Sequence, residues 1–98
     1  MPVFTLGVWT VKEGQGDDFV RAWSDMAAQT KKDFPDATAT LLRDRDEPHR
    51  FISFGPWESL EQIERWRSSP TFQDGVAKIR PLLDDFAPST LDCVVEVR

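Results

Sequence analysis

The chain has 98 residues, 40% hydrophobic and 30% charged, which suits one globular domain and excludes a disordered or low-complexity chain. Its net charge of −5 has the wrong sign for neutralising phosphates, so a nucleic-acid binder is not expected. One cysteine, Cys93, cannot close an internal disulfide, and with one histidine, His49, it excludes a zinc site of the Cys/His type.

"VFTLGVWTV" (3–11) reads as a strand, rich in β-branched and aromatic residues and apolar on both faces. Val3, Gly7, Trp9 and Val11 share one parity, and Phe4, Leu6 and Val8 the other. "EGQGDD" (13–18) supplies turn glycines, then acids suited to a helix N-terminus. Phe19, Val20, Trp23, Met26, Ala27, Thr30 and Phe34 follow at steps of three and four, the mark of an amphipathic helix that Phe34-Pro35 ends. "ATATLLRDRD" (37–46) alternates as a second strand, and Glu47-Pro48 turns the chain into a third, "HRFISFGPW" (49–57). The two strands form a hairpin.

"SLEQ" (59–62) matches a capping box, and Leu60, Ile63 and Trp66 mark one face of the helix it opens. Ser69-Pro70 breaks that helix and starts another, with Phe72, Val76, Ile79 and Leu83 as its apolar stripe. Pro81 falls inside the stripe and predicts an irregular last turn. "LDCVVEV" (91–97) is the expected closing strand, in which Cys93 reads as a small buried hydrophobe. No run reaches the ~18 apolar residues of a membrane helix. The opening "MPVFTLGVW" shows neither a basic region nor a small-residue cleavage site, so a cytoplasmic protein is expected.

The order β-α-β-β-α-β predicts one α+β domain over residues 1–98, a ferredoxin-like antiparallel sheet with helices on one face. The other face of such a sheet is normally polar. Here Phe4, Leu6 and Val8 make it apolar, which leads to an expected homodimer joined sheet to sheet through these three residues. The alternative is a strand with a few exposed apolar residues, which is common.

Chemistry-bearing constellations are sparse. An RNA-recognition domain shares this strand order, but its stacking aromatics must share a face, whereas Phe51 and Phe54 are three apart and point to opposite faces. "GQG" (14–16) is a turn and not a phosphate loop. Asp17-Asp18 and Asp84-Asp85 are adjacent pairs that read as solvated charge. Ser53 has no visible base partner. His49 is the sole neutral-pH base, and its loop position lies away from any expected pocket, so no catalytic residue is assigned.

Aromatic content stands out, with four Trp and seven Phe but no Tyr. Trp23 and Trp57 read first as core. Trp9 and Trp66 are less settled: Gly7 removes side-chain volume beside Trp9, and Trp66 sits at the break before Ser69-Pro70. A broken helix over a sheet glycine leaves room for a mostly apolar cavity with a few orienting polar groups. The expected pocket comprises Trp66, Trp9, Gly7, Thr5 and Ser53, with Trp23, Phe72 and Val76 around it. Whether Trp66 lines a void or plugs one stays open at this level.

"GPWESLEQIERWRSSPTF" (55–72) closely resembles the W-x-S…W-x-x-S-P-x-F signature of the antibiotic biosynthesis monooxygenase family, and "VKEGQGDDF" (11–19) is similar to that family's opening. The resemblance implies a dimeric α+β barrel with a pocket between helices and sheet in each subunit. It further implies oxygenation of phenols or quinols without a cofactor, the deprotonated substrate itself reducing oxygen. Haem-degrading members of the family use a strand Asn, a helix Trp and a His ligand ten residues later. Trp66 matches that Trp, but Gly7 and Val76 stand at the other two positions, so no haem or other cofactor is expected; a metal site built of carboxylates alone stays open, but nothing in the sequence singles one out. Three functions remain: a monooxygenase of aromatic phenols or quinols, a non-catalytic small-molecule binding module, and a purely structural dimer.

Overall fold

The computed structural model describes residues 2–98. Strand β1 (Val3–Val11) leads into helix α1 (Gly16–Asp33), the hairpin of β2 (Thr40–Arg43) and β3 (Arg50–Trp57), then helices α2 (Leu60–Arg67) and α3 (Pro70–Ile79). A 3-10 turn (Arg80–Leu82) connects α3 to the last strand, β4 (Leu83–Asp92). The sheet runs β2-β3-β1-β4 with every neighbour antiparallel. This is the α+β ferredoxin-like arrangement, its second helix broken in two. At 38 × 32 × 18 Å the molecule is two layers thick, one sheet and one layer of helices.

Local signals account for most of these elements. Asp17 and Asp18 lie in the first turn of α1 and Lys31 and Lys32 in its last, matching the helix dipole. Ser59 caps α2 by accepting from Gln62 N at 3.1 Å. Gln62 reciprocates toward Glu58 N, one residue before the cap, at 2.9 Å. Ser69 caps α3 by accepting from Phe72 N, with Pro70 at the first helical position, where its missing N–H costs nothing. Pro81 sits in the 3-10 turn, as its place in the sequence predicts.

Alternation in β1 and β3 separates the two sheet faces. Trp9, Val11 and Phe51 turn toward the helices and meet Phe19, Met26, Val76 and Ile79 in one core. Phe19 packs tilted between Trp9 and Phe51, with centroids 5.5 and 4.9 Å away. Each such aromatic pair adds about 0.5–1.5 kcal/mol to the burial of its surface. Phe51 and Phe54 do point to opposite faces: one is buried and the other is 37% exposed.

Three expected boundaries are corrected. The closing strand is residues 83–92, not 91–97. Pairing begins straight after the 3-10 turn, where Lys12 N donates to Leu82 O at 2.8 Å, and the register runs from Val11↔Leu83 to Val3↔Asp92. "LDDFAPSTLD" is weak in strand formers, but β1 supplies a complete pairing partner, and tertiary context outweighs propensity in a sheet. As an edge strand β4 also tolerates Pro88. Leu83 is thus the first residue of β4 and not part of the α3 stripe. The second strand is shortened to Thr40–Arg43, because residues 37–39 leave the sheet plane and cross over β3. Residues 93–98 carry no regular structure, so Cys93 is half-exposed rather than buried in a strand.

Candidate functional site

A cavity of about 430 Å³ lies between α1 and the sheet. The sheet contributes Thr5, Trp9, Ser53, Gly55 and Trp57 to its wall, and α1 contributes Trp23, Met26, Ala27, Thr30 and Lys31. Ala37, Thr38 and Ala39 cross one side, and Trp66 closes the side toward α2. It exists because side chains are small where backbone must pass. A Cβ on Gly55 would sit 2.2 Å from Thr38 O, so the absent side chain lets the 37–39 segment lie directly on β3.

Four indoles line the cavity, and three of them donate their N–H to a hydroxyl on another element. Trp9 Nε1 reaches Ser53 Oγ at 2.9 Å, Trp57 Nε1 reaches Thr5 Oγ1 at 3.1 Å, and Trp66 Nε1 reaches Thr30 Oγ1 at 3.1 Å. The first two bonds tie β1 to β3, and the third ties α2 to α1. Stacking fixes the ring planes further. Trp9 lies flat on Phe86, centroids 3.9 Å apart and planes 14° off parallel. Trp66 leans on Trp57 at 5.0 Å and takes Phe72 against its other side, edge-on at 4.6 Å. Side chains held by both packing and a hydrogen bond give a preformed pocket.

Apart from these three hydroxyl residues, Thr38 and Lys31, the residues of the wall are apolar. Among the described residues no carboxylate and no imidazole lines it, and Lys31 is its one ionisable group. Asp44 is held below the usual carboxylate range by backbone N–H bonds from Asp46 and Glu47 and then by Arg50. It orders the turn between β2 and β3 and is not part of the cavity wall.

Of the residues singled out from sequence, Thr5, Trp9, Trp23, Ser53 and Trp66 are brought together on the cavity wall. Gly7, Phe72 and Val76 are not. A Cβ on Gly7 would come within 3.0 Å of Trp9 Nε1 and 3.1 Å of both Phe86 and Ser53 Oγ, so those groups already occupy the space it vacates. Phe72 backs Trp66, and Val76 is core. His49 is exposed, and its backbone carbonyl accepts from Val11 N. Phe4, Leu6 and Val8 belong to the opposite sheet face, beside Ile52 and Phe54. Sequence reasoning missed Thr30, Trp57, Gly55, Lys31 and the 37–39 segment as wall. A signal for two of them was present: Ser53, Gly55 and Trp57 share one parity on β3, the face of Trp9.

Residues 2–78 match the model of the family described as "Antibiotic biosynthesis monooxygenase". No curated protein matches the chain. Among solved structures it is similar to SnoaB, a cofactor-independent oxygenase from Streptomyces nogalater, with a TM-score of 0.86, 21% identity, and 98% of this chain and 96% of that one covered. A putative antibiotic biosynthesis monooxygenase from Caulobacter crescentus matches at TM-score 0.86 and 18% identity, over 96% and 91% of the two chains. One from Nitrosomonas europaea matches at TM-score 0.82 and 13% identity, over 95% and 99%. At these identities the likeness is one of fold.

Proposed function

The chain belongs to the antibiotic biosynthesis monooxygenase family, and from that premise we propose that its cavity holds an aromatic phenol or quinol and promotes its oxidation by molecular oxygen. The observation that carries this reading is the indole-framed cavity itself, about 430 Å³, within the ~300–1,000 Å³ range of small-molecule sites. Flat rings of Trp9, Trp57 and Trp66 suit a fused aromatic ring, and Thr5, Thr30 and Ser53 supply hydroxyls to orient its oxygens.

In the proposed reaction the substrate loses a proton, and its anion passes one electron to oxygen. The resulting radical and superoxide combine into a ring peroxide anion, which takes a proton back from solvent and, as the hydroperoxide, loses water to leave a new carbonyl. One oxygen atom enters the product and the other leaves as water, so the substrate is the only reductant required. No carboxylate or imidazole on the described wall takes the first proton. The substrate must therefore be acidic enough to ionise to solvent, as anthrones and naphthols are. The protein contributes orientation and a mostly apolar surround for the radical pair.

Oxygen uptake by metal- and flavin-free protein against anthrones, naphthols and hydroquinones tests this reading. Uptake above autoxidation, lost in a folded Trp66→Ala variant, is the expected result; uptake unchanged by that substitution contradicts it. The missing base favours a second reading, a binding module without turnover. Ligand-induced stabilisation with no oxygen uptake distinguishes it.

The second sheet face supports a homodimer within this proposal. Phe54 and Leu91 there are 37% and 42% exposed, beside Phe4, Leu6 and Val8. One further copy packed sheet to sheet covers them. Sedimentation of a Leu6→Asp variant as monomer, against a dimeric parent, is the expected outcome; a monomeric parent ends the proposal.

A further inference from the structure

We infer that Lys31 makes this cavity selective for aromatic anions, so that the charge of the ligand, and not only its ring, decides what binds. The inference rests on the ligand-site reading above and adds the chemistry of the occupant. Polar groups on the wall point one way. Thr5, Thr30 and Ser53 each accept an indole N–H. A hydroxyl that has accepted one hydrogen bond still has its own proton to give, and among the described residues no protein acceptor takes these three. They complete their pairing by donating to whatever occupies the cavity. Ligand oxygens with lone pairs fit them.

Lys31 adds charge to that pattern. It follows Thr30 in the last turn of α1, lines the cavity and is exposed, as expected of a lysine that packs its stem and keeps its ammonium in water. Nζ donates to Ala37 O at 2.8 Å, which holds it beside the 37–39 segment and leaves two of its three N–H donors free. No acidic residue on the described wall offsets it. Asp33, two residues on, accepts from Thr71 on α3 at 2.7 Å and is not part of the wall. Asp36 is exposed in the loop and is also absent from the wall. A phenolate, enolate or carboxylate on a ring seated among the indoles thus meets an ammonium and hydroxyl protons, while an ammonium-bearing ring meets repulsion and no carboxylate.

The test titrates three probes of one shape at constant pH and low salt, reading tryptophan fluorescence: 2-naphthoate, 2-naphthalenemethanol and 2-naphthylmethylammonium. The expected order is anion, neutral, cation, with the anion favoured over the neutral probe by roughly two- to fivefold for an exposed charge beside the cavity. Lys31→Met abolishes that preference, Lys31→Glu inverts it, and Lys31→Arg retains it. Lys32→Met, which removes a neighbouring charge outside the wall, leaves it intact. Equal binding of all three probes, or a preference that survives Lys31→Met, overturns the role of Lys31 while leaving the ligand site standing. Failure of every probe to bind refutes the ligand site, and the role of Lys31 with it.

Discussion

Gly55→Ala isolates the contact that builds one wall of the cavity. The added methyl would lie 2.2 Å from Thr38 O, 3.2 Å from Thr38 C and 3.2 Å from Ala39 Cα. All three are backbone atoms, so no rotamer change relieves the clash. The 37–39 segment must retreat from β3 by roughly an ångström, and overpacking of this kind costs about 1–3 kcal/mol. For a chain of this size each kcal/mol lowers Tm by about 4–8 °C, so a fall of roughly 5–20 °C is expected. Gly16→Ala is the control: its new Cβ would meet only Phe51 Cζ at 3.9 Å, an ordinary contact, and Tm should hold or rise slightly. Differential scanning calorimetry on the two variants reads both effects. A Gly55→Ala protein melting with the parent would mean that the 37–39 segment does not rest on β3, and the cavity wall described above would be wrong.

Thr30→Val keeps shape but removes the acceptor of the Trp66 N–H. Stability in urea should fall by about 1–2 kcal/mol, the lower part of the range for an orphaned donor, since Trp66 is half-buried and water can repair some of the loss. Trp66→Ala should cost ~2–3 kcal/mol, less than the ~3–5 of a fully enclosed aromatic, because one side of the ring borders the cavity; a loss beyond that upper range would mean that Trp66 fills space rather than lines it. Asp44 has a folded pKa below its ordinary 3.8, so the bonds it makes stabilise the β2–β3 turn above that value and are lost as pH falls through the folded pKa. A carboxyl carbon titration by NMR should place its midpoint under 3.8, little moved by Arg50→Met because the backbone N–H bonds act first; a midpoint above 3.8 contradicts this.

Much of the framework could be read from particular residues. Ser59, Gln62, Ser69 and Pro70 announce the helix starts because caps act through local backbone geometry. The parity of Trp9 and Val11 against Phe4, Leu6 and Val8 divides the sheet faces because strand side chains alternate. The last strand was not legible. Its pairing is nonlocal, and Asp84, Asp85 and Pro88 mask it, while the apolar "CVVEV" beyond it remains outside the sheet, with Val94 81% and Val97 89% exposed. The site was half legible. Aromatic residues at sheet-facing positions indicate a cavity, but Gly7 and Gly55 look alike in sequence. One makes room for the Trp9 indole and the other for a crossing backbone segment, which depends on where the chain returns after α1. Lys31 carried no signal either, since a lysine in a last helical turn reads as dipole compensation.

Oxygenation of its occupant is the activity we propose for the cavity. It is tested most directly by incubating metal- and flavin-free protein with an anthrone or naphthol under ¹⁸O₂ and weighing the quinone formed. One labelled atom in the new carbonyl, its partner in water, and a rate above autoxidation that disappears in folded Trp66→Ala is the predicted result. An unlabelled product, hydrogen peroxide in place of water, or a rate equal to that of the variant would contradict it.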